Sequence, residues 1–113
     1  MKVTLKGMKE LRSKLADVKP ENIHAVVRHN GQQLQQNMMR KADFKKGYAT
    51  GVTKRSIHLE IRDGGMTAEV GPETEYSPYL EYGTRFMQAQ PFVGPALEEQ
   101  KDKFIKDLER LVK

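Results

Sequence analysis

The chain has no cysteine. That excludes a disulfide-stapled scaffold, thiolate catalysis and a cysteine-ligated zinc site. Aromatic residues are scarce, at 7% of the chain, and no apolar run approaches the length of a bilayer span, so no membrane partner is expected. The opening MKVTLKGMKELRSKL has a charge every few residues in place of an apolar h-region, so no secretory leader is expected. The glycines form neither G-x-G-x-x-G nor G-x-x-x-x-G-K-[ST]. No phosphate cradle, and with it no cofactor, is expected.

Catalytic material is equally thin. Ser13, Ser56 and Ser77 are the serines, and none sits in a nucleophile elbow. His24 and His29 are five residues apart, so on a helix they diverge, unlike the i,i+4 pair of a zinc helix. No metal site is expected. Glu73, Glu75 and Glu81 cluster near the aromatic segment and read as a solvated acidic rim. No catalytic residue is assigned, and the chain is not expected to be an enzyme.

What the sequence does have is charge: 20 basic and 15 acidic residues in 113, a formal net charge of +5. The signs are mixed along the chain, which favours solubility over a dedicated polyanion surface. The length suits one domain, residues 1–113. Neither a repeat nor a low-complexity segment is evident.

Local periodicities give an α+β order. KVTLK alternates, with Val3 and Leu5 on one side, as a half-buried strand does. Met8, Leu11, Leu15 and Val18 then share a helix face. Pro20 stops that helix and starts a second, over Glu21 to about Lys41. Its stripe holds Ile23, Val26, Val27, Leu34 and Met38, with Asn30 as a further candidate. Gly31, inside it, marks close packing or a bend. Residues 42–56, ADFKKGYATGVTKRS, have no period and read as a long mobile loop. SIHLEIR and MTAEV alternate around Asp63-Gly64-Gly65, the signature of a hairpin. A short helix is expected over Tyr76 to Arg85, with Pro78 in its first turn and Gly83 at its end. A last helix follows Gly94-Pro95, its stripe running through Leu97, Phe104, Ile105, Leu108, Leu111 and Val112. The expected fold is a small antiparallel sheet packed by N-terminal helices and a C-terminal helix, with the mobile loop before the central hairpin.

The segment YSPYLEYGTRFMQAQPFVGPAL, Tyr76 to Leu97, holds three of the four tyrosines, two phenylalanines and three prolines. A domain with one core cannot absorb all of these rings. Tyr, Phe and Arg are enriched in interface centres, so part of the segment is expected against a neighbouring subunit. The candidate interface residues are Tyr76, Tyr79, Glu81, Tyr82, Gly83, Thr84, Arg85, Gln90, Pro91 and Phe92. In the loop, Lys45, Lys46, Lys54 and Arg55 are candidates for a tether or for non-specific contact with DNA. No single helix carries a concentrated basic face ready for a groove.

YSPYLEYGT followed by QPFVGPAL resembles the Tyr-x-x-Tyr-x-Glu-x-Gly-Thr and Gln-Pro-Phe-x-x-Pro-Ala signatures of the head–tail joining or tail-completion proteins of long-tailed phages and prophages. ATGVTKRSI is similar to that family's Thr-Gly…Arg-Ser-Ile element, through Thr50, Gly51, Arg55, Ser56 and Ile57. It lacks the leucine after the glycine and the proline before the threonine. The resemblance implies a non-enzymatic virion protein, assembled in the bacterial host cytoplasm. It also implies a ring, possibly a hexamer, around the DNA channel, in contact with other connector and tail proteins. The alternative is a small basic nucleic-acid-binding protein.

Overall fold

A computed structural model describes residues 2–6, 18–42, 52–75, 77–85 and 88–111. Among these, three strands and four helices follow the order β1 (Val3–Lys6), α1 (Pro20–Lys41), α2 (Val52–Arg55), β2 (His58–Arg62), β3 (Thr67–Gly71), α3 (Ser77–Tyr82), α4 (Val93–Arg110). The fold is α+β. The expected helix over Met8–Val18 falls mostly on residues 7–17, outside the described set. Only Val18 is placed, packed against the core.

The sheet is antiparallel in the order β1-β3-β2, so the second arm of the hairpin is the central strand. Register places Val3 and Leu59 beside Val70, and Leu5 and Ile61 beside Ala68. These are the apolar positions of each alternating strand, and they share the face that α1 covers. Ile61 ends on an edge strand beyond the cover and is 37% exposed, although its alternation predicts burial.

α1 is 22 residues long, roughly 33 Å at 1.5 Å per residue. Pro20 starts it, Glu21 sits in its positive first turn, and Arg40 and Lys41 sit in its negative last turn. Its buried stripe is Ile23, Val27, Asn30, Gly31, Leu34 and Met38. Gly31 is a contact point with the sheet. A Cβ there would lie 3.0 Å from Ala68 Cβ and 3.0 Å from Leu59 Cδ1. The bare glycine therefore lets helix and sheet approach at the centre of the core, and close packing is the reason for this residue.

α4 lies antiparallel along α1. Asn37 meets Glu99 near one end, and Asn30 meets Asp107 near the other. Val93, Ala96, Phe104 and Leu108 close the core from this side. Burying each large apolar side chain, such as Phe92, Leu34 or Leu80, contributes about 1.5–3 kcal/mol.

The expected loop over residues 42–56 is corrected at both ends. Ala42 caps α1, its N–H bonding Met38 O at 3.0 Å and Met39 O at 3.2 Å. Val52–Arg55 form one helical turn. The turn is held because Thr53 is buried and hydrogen-bonded, a tertiary contact with no local period to announce it. Residues 43–51 of the expected loop lie outside the described residues.

Candidate interaction site

The stretch from Gln88 to Leu97 returns to α3. α3 starts after Thr74, whose carbonyl accepts from Ser77 N–H at 3.3 Å, and it ends at Gly83, which takes the left-handed conformation at φ 79°. Gly83 N–H bonds Tyr79 O at 2.8 Å, and the returning chain bonds Leu80 O through Gln90 N–H at 2.6 Å.

One side chain joins the two halves. Glu81 Oε1 accepts from Phe92 N–H and Val93 N–H, each at 2.8 Å, and Oε2 accepts from Gly94 N–H at 3.0 Å. These are the first N–H groups of α4, which have no partner within their own helix. Pro95, next in line, has none to offer. Phe92, at the N-cap position, supplies no side-chain cap. The carboxylate thus meets three donors and the positive end of the helix dipole together. Glu81 is 9% exposed, so it is not part of a solvated rim. Gly94 leaves room for it, since a Cβ there would lie 3.1 Å from Oε2.

The upstream element docks onto the same region. Thr53 Oγ1 and Thr74 Oγ1 share a hydrogen bond at 3.1 Å, and Thr74 is in turn hydrogen-bonded to the buried Ser77 hydroxyl. Ser56 Oγ donates to Thr53 O at 2.7 Å and accepts from Glu73 N–H at 3.1 Å. Ser56 and Ser77 are therefore structural hydroxyls that tie α2 to the start of α3. Gln35 Nε2 adds a bond to Ile57 O at 3.1 Å, fastening this corner to α1.

This packing sorts the candidate residues. Phe92 is fully buried, and Glu81 is held against the start of α4. Both are interface candidates by sequence, and Glu81 also a candidate for the solvated rim. The apolar pull of the core and the unpaired N–H groups of α4 take them inward. Tyr79 is 53% exposed and Tyr82 75% exposed, while Leu80 between them is buried. The helix therefore turns its apolar side in and both tyrosine rings out. Thr84, Arg85 and Pro91 are exposed, Gly83 forms the turn, and Gln90 is half-buried. Lys54 and Arg55 are exposed on α2. Tyr76, Lys45 and Lys46 lie outside the described residues.

The outer face of the sheet carries a network of paired charges. Glu60 and Glu69 stand opposite each other on the outer face of the sheet, a like-charge pair. Arg62 bridges them, at 2.5 Å to Glu60 and 3.1 Å to Glu69, and Lys2 lies 4.0 and 3.9 Å from the same two carboxylates. The hydrogen bond and charge of Arg62 hold the Glu60 carboxyl below the usual range. The hydrogen bonds from Lys41 and Asn37 do the same for Glu99. Among the described residues, no group of three or more His, Asp or Glu side chains is arranged to hold a metal ion.

The sequence reading missed a buried polar cluster between α1 and α4. Asn30 Nδ2 donates to Val26 O at 2.9 Å and to Asp107 Oδ2 at 3.0 Å, and Gln100 Nε2 bridges Asn30 Oδ1 and Gln33 Oε1. Asn30 was visible as a polar residue on an apolar stripe. Gln100 gave the same signal, a polar residue on the stripe between Ala96 and Phe104.

A family model described as "Bacteriophage HK97-gp10, putative tail-component" matches residues 5–83. The match takes in the end of β1, then α1, α2, the hairpin and α3. It ends before Gln90–Leu97, the second half of the aromatic segment. No curated protein and no solved structure matches the chain.

Proposed function

This chain belongs to the HK97-gp10-like family of phage tail components, and from that membership we propose that it acts at the head–tail junction of a long-tailed phage. It serves there as a structural part of the virion, without catalysis. It assembles with copies of itself into a ring around the DNA channel and contacts the neighbouring connector and tail proteins. A ring needs a heterologous contact, in which one surface meets a different one on the next subunit.

The observation that carries this reading is the outward pair Tyr79 and Tyr82, at 53% and 75% exposure on α3. Two large rings on one short helix are costly to leave in water and well suited to the centre of an interface. The helix beneath them is fixed by Leu80 in the core and by Glu81 on α4. The rings are thus presented on a rigid base, which lowers the ordering cost of docking. Arg85 and Pro91 are exposed nearby in sequence.

The test is a Tyr79→Ala, Tyr82→Ala double variant. Its circular dichroism and melting temperature stay close to wild type, because the rings lie outside the core. Its self-association in sedimentation velocity weakens by tenfold or more, in line with the loss of an interface centre of about 1.4 kcal/mol or greater. In a phage carrying the variant, heads and tails accumulate unjoined. Normal joining with undiminished self-association would overturn the proposal.

A further inference from the structure

We propose that the groove between α1 and α4 is a docking track for the phosphate backbone of duplex DNA. The groove is a shallow cavity of about 290 Å³ lined by His29, Gln33, Lys103, Lys106, Asp107 and Arg110. No single helix supplies this surface. On α1, His29, Gln33, Gln36 and Arg40 recur at i, i+4, i+7 and i+11, one stripe on the solvent side of the buried face. On α4, Lys103, Lys106 and Arg110 recur at i, i+3 and i+7. The helices run antiparallel, so His29 and Gln33 of the first stripe face Lys103, Lys106 and Arg110 of the second across the groove.

The charge balance favours an anion. Among the described residues, Asp107 is the one acid lining the groove. Its carboxylate is already occupied, accepting from Asn30 Nδ2 at 3.0 Å and lying 3.6 Å from Arg110 Nη1. Glu99, at the far end, is held by Lys41 at 2.9 Å and by Asn37. Asp107 and Arg110 offset each other, which leaves Lys103 and Lys106 as the surplus positive charge of the lining, with an amide donor from Gln33. Arg, Lys and Gln are the side chains that contact phosphate oxygens without reading sequence. From Lys103 to Arg110 the track runs roughly 10 Å at 1.5 Å per residue, which matches about three base-pair steps of ~3.4 Å each. An extended polyanion of regular charge fits this better than one small anion does. The groove lining includes neither Lys54 nor Arg55 of α2 and neither Tyr79 nor Tyr82 of α3.

The experiment is fluorescence anisotropy of a labelled duplex of random sequence with the full chain, from 50 to 200 mM salt. Three phosphate contacts give a log–log slope of about −2.7, a roughly 40-fold loss of affinity across that range. The Lys103→Gln, Lys106→Gln, Arg110→Gln variant flattens the slope by about 2.7. Lys106→Gln alone flattens it by about 0.9, and Lys54→Gln with Arg55→Gln leaves it unchanged. Wild-type binding with no salt dependence, or a triple variant that keeps the full slope, overturns the proposal. So does loss of the slope in the Lys54/Arg55 variant instead. Tighter binding to polyglutamate than to the duplex at equal salt would assign the groove to an acidic protein surface and overturn it as well. Sedimentation of the triple variant matches wild type, which separates failure here from failure of the ring reading.

Discussion

The Glu81 carboxylate sits 2.8 Å from the backbone nitrogen of Phe92, eleven residues further along the chain, and closes the start of a helix to which it does not belong. The same carboxylate takes Val93 and Gly94 N–H. This one side chain converts two sequence elements, YLEYGT and QPFVGPAL, into one structural unit.

Glu81→Ala leaves three N–H groups at the head of α4 without their acceptor, in a site closed to solvent. Loss of a helix cap costs about 0.5–2 kcal/mol, and stranding buried donors raises the figure toward the upper end. Glu81→Ala is therefore expected to lose about 2 kcal/mol in urea denaturation, and Glu81→Gln, which keeps one oxygen, less than Glu81→Ala. A Glu81→Ala midpoint equal to wild type would show that α4 is not anchored this way.

Gly31→Ala reverses the usual sign of a glycine-to-alanine change. In an exposed helix the substitution gains about 1 kcal/mol. Here the new methyl meets Ala68 Cβ and Leu59 Cδ1, each at 3.0 Å. Overpacking typically costs 1–3 kcal/mol, so the expected net effect is a loss of about 1 kcal/mol, read as a lower melting temperature. A stabilised variant would mean that helix and sheet separate easily.

Asn30 and Gln100 are coupled. Asn30→Leu leaves Gln100 and Asp107 without the amide they meet, an expected loss of about 2 kcal/mol. Asn30→Leu with Gln100→Leu removes both partners together and costs less than the sum of the singles. A double-mutant cycle by chemical denaturation is expected to give a coupling of about 1 kcal/mol. Additive losses would count against a shared network.

The outer face of the sheet gives a pH dependence of defined sign. Glu60 has a folded pKa below its ordinary value of 4.5, through Arg62 first and Lys2 after it. A depressed carboxylate adds stability above its unfolded pKa, and that stability is lost as pH falls through the lower, folded value. Carboxyl NMR titration is expected to place Glu60 below 4.5, with Arg62→Gln moving it back up. The Arg62 variant also loses part of the salt sensitivity of stability, since the pairs are exposed and screened.

Much of the fold was legible because short-range physics writes it locally. The period of two around Asp63-Gly64-Gly65 located the hairpin. The stripe from Ile23 to Met38 located α1, and Pro78 and Gly83 bracketed α3. The turn Val52–Arg55 was not legible, since its stabilising partner, Thr74, is 21 residues away from Thr53. Glu81 looked like rim material for the same reason: its donors lie beyond any local window. Phe92 stood among prolines and glutamines that favour the surface, and its burial is settled by Leu80 and α4 instead.

The sequence alone determined the three strands, α1, α3 and α4, the absence of cysteine chemistry and the excess of aromatics in one segment, because each follows from residue type and spacing. Only the tertiary structure decided which rings face outward, which carboxylate caps α4, and that lysines near the C-terminus line one groove with His29 and Gln33, more than 60 residues earlier. Those outcomes depend on how antiparallel helices pack over a sheet, and packing brings together side chains that no periodicity relates.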